Sequence, residues 1–170
     1  MPRWPTGSFT SVTEQSRPPR GKPPIMEIAS TFRLKTSLRD AVRRLRRGLE
    51  DGELQLAFQF EMSGCLRREL QVDLCPAVLL GVHSPVLLLE SMVADGRSGL
   101  FLPLHVLVTG SGNETVVRVL RPECCLEAGV PVGVLTPLLK TIRRVESAVA
   151  AAGASRVAEL TPEPAAVGET

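Results

Sequence analysis

The two histidines of this 170-residue chain, His83 and His105, both fall at the ends of apolar runs. His83 lies in Gly81-Val82-His83-Ser84-Pro85, which reads as a strand-to-helix turn, and His105 lies in Leu102-Pro103-Leu104-His105-Val106, a loop-to-strand junction. Backbone donors and strand ends converge at such places, so an imidazole there can ligate a metal or carry a proton near neutral pH. Two imidazoles alone leave a metal site incomplete, and no acidic neighbour is placed in sequence to orient either ring. The plain alternative is an ordinary structural or surface histidine at each position. The thiols Cys65, Cys75, Cys124 and Cys125 lack the paired C-x-x-C spacing of a structural zinc site. Adjacent Cys124 and Cys125 make poor joint ligands, and they read as small buried hydrophobes or as one buried and one exposed thiol. Neither a nucleophile elbow nor a phosphate loop is present, so no catalytic constellation and no cofactor is indicated.

Arg39, Arg43, Arg44, Arg46 and Arg47 form the one basic cluster. With Glu50 and Asp51 beside them, and no Gly-rich or stacking motif, they read as the solvated face of a helix. A net charge of +2 supplies no general basic field, and 4% aromatic residues with no Tyr leave little on which bases could stack, so a nucleic-acid partner is not expected. Asn113-Glu114-Thr115 matches a glycosylation acceptor but reads as the end of a hairpin turn. Leu74–Leu89 is the most apolar stretch, yet Pro76, His83, Ser84 and Pro85 interrupt it, which argues against a membrane span. The first 24 residues resemble no secretory signal, and a cytoplasmic protein with reduced thiols is expected.

The elements that must position these residues follow from periodicity. Residues 1–24 contain six prolines and no hydrophobic period and read as a disordered tail. Met26, where patterned sequence begins, is a candidate alternative start. Residues 154–170 read as a second tail, leaving residues 25–153 as one domain. Within it Ile25–Lys35 is extended, with Met26, Ile28 and Phe32 inward. Ser37 or Thr36 caps a helix whose stripe is Leu38, Ala41, Val42, Leu45 and Leu49, and Gly52 ends it in the left-handed region. Glu53–Met62 carries the cleanest strand pattern, with Leu54, Leu56, Phe58, Phe60 and Met62 on a core side and Gln55, Gln59 and Glu61 opposite. Cys65–Leu70 reads as a short helical turn, Ala77–His83 as a strand, and Pro85 as the first position of a helix to about Ala94. Leu102–Thr109 and Thr115–Leu120 form a hairpin, and Thr136-Pro137 starts a final helix ending at Gly153. The expectation is an α+β fold, order β-α-β-β-α-β-β-α, with an antiparallel sheet and helices mainly on one face.

Leu79-Leu80-Gly81-Val82-His83-Ser84-Pro85, then Ser98-Gly99-Leu100-Phe101-Leu102-Pro103-Leu104-His105-Val106, and a hairpin ending at Arg121-Pro122 together resemble the domain of unknown function 302 family. The resemblance covers most of Met26–Ala152 and implies a small α+β fold and a homodimer, but no reaction. Many members look like G-x-C-N-P at the first turn and L-P-C-N-V at the second. Here His83 and Ser84 stand at the first pair of positions and Leu104 and His105 at the second, so both family cysteines are missing. Gly81, His83, Ser84, Pro103 and His105 are therefore the candidate ligand-binding residues, with the two histidines facing one pocket if the turns are neighbours. Two functions fit. One is a non-enzymatic homodimeric binding or accessory module with an apolar groove between helices and sheet for a small apolar or unknown ligand, in which the Val86–Leu89 run and the final helix supply walls or dimer contact. The other is a small metal- or redox-responsive protein or enzyme using His83 and His105, with Cys75 or Cys124.

Overall fold

Alternating apolar side chains build the sheet. The computed structural model describes residues 28–127 and 130–157. These form strands β1 (Ala29–Leu34), β2 (Gln55–Glu61), β3 (Ala77–His83), β4 (Leu104–Ser111), β5 (Glu114–Leu120) and β6 (Ser155–Arg156). The strands hydrogen-bond in the order β2-β3-β4-β5-β1-β6, and every pairing is antiparallel. The helices are α1 (Leu38–Asp51), α2 (Met62–Leu70), α3 (Pro85–Ala94), α4 (Pro122–Glu127) and α5 (Val132–Ala151), with a short 3-10 helix at Gly96–Leu100. The fold is α+β with an antiparallel sheet, as the periodicity predicts.

One face of the sheet is the core. Val78, Leu80 and Val82 of β3, Val106 and Val108 of β4, and Val117 and Val119 of β5 are buried against Ala41, Leu45 and Leu49 of α1 and Leu138, Ile142 and Val145 of α5. Ser37 caps α1 as expected, its hydroxyl accepting from the Asp40 amide at 3.3 Å. The two covering helices meet closely at Gly48, where a Cβ would stand 2.8 Å from the Ala148 carbonyl oxygen. Leu87 and Ser91 turn inward from α3, which packs beside α5. The β4–β5 hairpin turns through Gly112 and Asn113, and Gly112 takes the positive φ of +58° that a two-residue turn favours. Thr115 of the glycosylation-like triplet is buried and donates to the Thr36 carbonyl at 2.8 Å.

Several local expectations shift. Helix α5 begins at Val132, before the expected Thr136-Pro137 start, because Val134 reaches the core and Gly133 packs on Ala94, so tertiary contact carries the helix past its proline. Gly52 has an ordinary φ of −87°, and Glu53 takes the left-handed turn at φ 56° instead. The chain beyond Gly153 does not leave the fold at once, since Ser155 and Arg156 pair with β1 and Val157 donates to the Thr31 carbonyl. Phe32 is buried, whereas Ile28, expected inward, is exposed. Met26, both N-terminal expectations for residues 1–24, and the rest of the expected C-terminal tail lie outside the described residues.

The largest correction concerns β2. Leu56 pairs with core-facing Val82, but Phe58 pairs with Gly81, so two residues advance on β2 while one advances on β3. Ala57 is the extra residue of a β-bulge. Side chains alternate with period two, so one inserted residue turns all that follow to the other face. Leu54 and Leu56 reach the core side, whereas Phe58 and Phe60 point away from it and are 37% and 45% exposed. Gln59 turns instead toward the helix layer and accepts from Arg46 of α1 at 3.3 Å. Met62 starts α2.

Candidate functional site

The sheet face opposite α1 and α5 is apolar through its centre. Read across the strands, one row is Phe60, Leu79, Leu107, Arg118 and Thr31, and the next is Phe58, Gly81, His105, Leu120 and Ala29. An open antiparallel face normally presents polar side chains to water. Here Phe58, Phe60 and Leu120 remain exposed and Leu79 and Leu107 are half-buried.

Gly81 is the floor of this face. The Phe58 ring lies directly over it, so that a Cβ at Gly81 would come 2.3 Å from Phe58 Cε1. The same ring meets the His105 imidazole with centroids 5.7 Å apart and planes tilted by 51°. An isolated glycine inside a strand commonly marks such a close approach. His83 stands two residues along β3 from Gly81 and hence on the same face, half-buried, with its Nδ1 buried and without a hydrogen-bond partner among the described residues. It is a diagonal neighbour of His105, and diagonal pairs on an antiparallel sheet stand roughly 7–8 Å apart. Pro103 follows a cis peptide bond after Leu102 and lies one step beyond the last paired residues, beside His83.

Of the five candidate residues, Gly81, His83, Pro103 and His105 thus share the open side, and Ser84 does not. Ser84 is buried at the start of α3, where its carbonyl accepts from Leu88, and it borders a separate cleft with Glu53, Gln55 and Arg144. The family's two cysteine positions also part company, since His83 faces outward while Leu104 is buried in the core. It is strand register, and not those two positions, that places the histidines on one face.

Beside His105 the open face dips into a groove of about 400 Å³. Leu79, Leu107 and Leu120 form its base with His105 and Arg118, and Ile28, Leu100 and Phe101 rise at its sides. Its size falls within the roughly 300–1,000 Å³ of small-molecule sites. Phe58 and Arg118 lie far from either histidine in sequence, and Leu107, two residues from His105, carries no reactive group, so reactive spacings alone do not mark them. The signals that point to them are Gly81 within an apolar strand and the small Ala57 within the β2 alternation.

The remaining reactive groups lie elsewhere. Cys75 is exposed, Cys65 and Cys124 are half-buried, and Cys125 is buried, all four as free thiols. Burial, with Cys124 and Glu123 adding to it, holds the Cys125 thiol above its usual pKa, so that group stays protonated and unreactive. Asp95 is held down to about 2 by its side-chain hydrogen bonds with Arg97, helped by the Arg97 amide, in an exposed pair that caps the 3-10 helix. Among the described residues no group of three or more His, Cys, Asp or Glu side chains converges to hold a metal ion. The arrangement at the open face can bind an apolar surface and place a cation and an imidazole beside it.

A two-layer α+β sheet with helices on one face and an apolar open side defines the fold class. The chain belongs to the DUF302 family, "Domain of unknown function DUF302", whose family model matches residues 30–152. It is similar to the crystal structure of uncharacterized conserved protein DUF302 from Bacillus stearothermophilus, with 18% sequence identity and a TM-score of 0.66 over 73% of this chain and 97% of that chain. At that identity the likeness shows the shared fold. No curated protein matches the sequence. Among the described residues no helix is long and apolar enough to cross a membrane.

Proposed function

We propose that the protein is a non-enzymatic, homodimeric binding module of the cytoplasm whose working surface is the open face of the sheet. The observation that carries this reading is the groove beside His105, an apolar hollow in a sheet face that α1 and α5 leave uncovered. The bulge at Ala57 supports it, because it adds Phe58 and Phe60 to that face instead of to the core. Gly81, His83 and Pro103 border the same surface, with His105 at the groove itself. Dimerisation is assigned to α3, where Val86, Leu89 and Val93 recur at helical spacing and are 65%, 65% and 80% exposed. Free thiols at every cysteine fit a reducing compartment.

The test uses a neutral solvatochromic dye, Nile red, with light scattering on the purified full chain. The reading expects saturable dye binding at one site per protomer and a mass of two protomers. Leu107→Glu places a carboxylate in the groove base and should abolish dye binding with the circular dichroism unchanged. Leu89→Glu should give a monomer that still binds dye. Undiminished binding by Leu107→Glu would overturn the assignment of the surface. A metal-responsive role has one observation in its favour, the buried and unpartnered His83 Nδ1. A thermal shift on adding zinc that is lost in His83→Ala would favour that role over the binding module.

A further inference from the structure

We propose that the groove on the open face takes an organic acid with an apolar tail, and that Arg118 receives its carboxylate. This rests on the reading of the open face as a binding surface and adds the chemical class of the ligand. Ten residues line the groove, and Arg118 is the one with a permanent charge, since no Asp or Glu is among them. Its neighbours across the strands are Leu107 and Thr31, both uncharged. The guanidinium donates to the Thr109 hydroxyl at 3.3 Å, and no carboxylate lies within ion-pair distance of it among the described residues.

A second arginine on this face differs. Arg33 pairs with Glu114 at 3.0 Å, so its charge is met within the protein. Arg118, half-buried between Leu107 and Thr31, has most of its five N–H donors without a partner among the described residues, and these can meet an incoming oxyanion. A planar guanidinium matches a carboxylate with two parallel hydrogen bonds, and low local polarity strengthens them. With no carboxylate in its lining, no group of the groove repels an anion. Leu79, Leu107, Leu120 and Phe101 then offer apolar surface to a tail but no hydrogen bond to it. A neutral apolar molecule would leave Arg118 covered and unpaired, which is costly. A free acid satisfies both halves of the groove.

The experiment is displacement of Nile red from the full chain by decanoate and by decanol, matched in tail length and differing in charge. A hydrogen-bonded charge pair of this kind predicts that decanoate displaces the dye at about 10- to 100-fold lower concentration than decanol. Arg118→Gln should erase that difference, with both displacements read against the variant's own dye affinity, and Arg118→Lys, which keeps the charge, should retain part of it. Equal displacement by the two compounds, a preference that survives in Arg118→Gln, or a dye that neither compound displaces would overturn the proposal while leaving the binding face intact. If a terminal segment of the chain itself fills the groove, or the face binds no small molecule, Nile red does not bind, and the proposal falls together with the reading beneath it. The comparison of decanoate with decanol on the unaltered protein decides the matter even if an Arg118 variant fails to fold.

Discussion

Replacing Gly81 by alanine probes the packing on which the open face is built. The added methyl would stand 2.3 Å from Phe58 Cε1 and 2.6 Å from Cδ1. Carbon atoms pack comfortably at about 3.5–4.0 Å. Strand β3 is hydrogen-bonded on both sides, to β2 and to β4, so the ring must move and not the floor. Phe58 lies on the edge strand and is already 37% exposed, which gives it somewhere to go. Its displacement forfeits the contact with His105, worth about 0.5–1.5 kcal/mol for an aromatic pair, together with the shelter the ring gives the strand beneath. Stiffening the unfolded chain by Gly→Ala returns about 0.4–1 kcal/mol at a site free of strain. A net loss of about 1 kcal/mol is therefore expected, at the low end of overpacking penalties. Urea unfolding followed by circular dichroism measures it, and the His105 ring protons in an NMR spectrum should lose the ring-current shift from Phe58. In a Phe58→Ala background the same Gly81→Ala change should cost nothing or stabilise. The reasoning is refuted if Gly81→Ala leaves stability and the His105 resonances unchanged, or if its cost is the same with and without the ring.

Leu45→Ala, at a fully covered position of α1, should cost about 2–5 kcal/mol in the same unfolding experiment. Ser37→Ala removes the cap of α1 and should cost about 1 kcal/mol, with Ser37→Asp restoring it. Under native conditions iodoacetamide should modify Cys75 first and Cys125 last, read by mass spectrometry of the intact and digested protein, because one thiol is exposed and the other is buried and held protonated. Asp95 titrates at about 2 in the folded chain against 3.8 for the free group. Its depressed pKa stabilises the folded state above the unfolded value, and that contribution fades as pH falls from about 4 through about 2. An Asp95 carboxyl titration by NMR that gave an ordinary pKa, or one that stayed depressed in Arg97→Gln, would sink the assignment to Arg97.

Local pattern carried the reading of the fold a long way. The stripe Ala41, Leu45 and Leu49, the cap Ser37, Pro85 at the head of α3 and the β4–β5 hairpin are dictated by neighbours in sequence, and the structure keeps them. What pattern alone could not resolve was which way Phe58 and Phe60 point. Their alternation with Gln59 and Glu61 is unbroken, and the bulge at Ala57 exists only relative to the partner strand β3. The same is true of α5, whose first turn is set by Val134 finding the core and not by the proline-based start signal at Thr136-Pro137. The candidate site was half legible. Gly81, His83, Pro103 and His105 were drawn from two short segments that strand register does bring to one face. Ser84 was drawn from the same segment, but one residue beyond His83 the side chain points the other way, into buried surroundings at the start of α3. Nothing in the Thr115–Leu120 strand pattern sets Arg118 apart. Its standing as a lone cation in an apolar groove depends on Leu107 and Leu79, which arrive from two other strands.

The most direct test of the open face as the working surface is a methyl NMR titration of the full chain with Nile red. The account predicts that the Leu79, Leu107 and Leu120 methyl resonances move together and saturate, while those of Leu80, Val106 and Val117, on the covered side of the same strands, stay in place. Shifts confined to Val86, Leu89 and Val93 of α3, or no shifts at all, would contradict it.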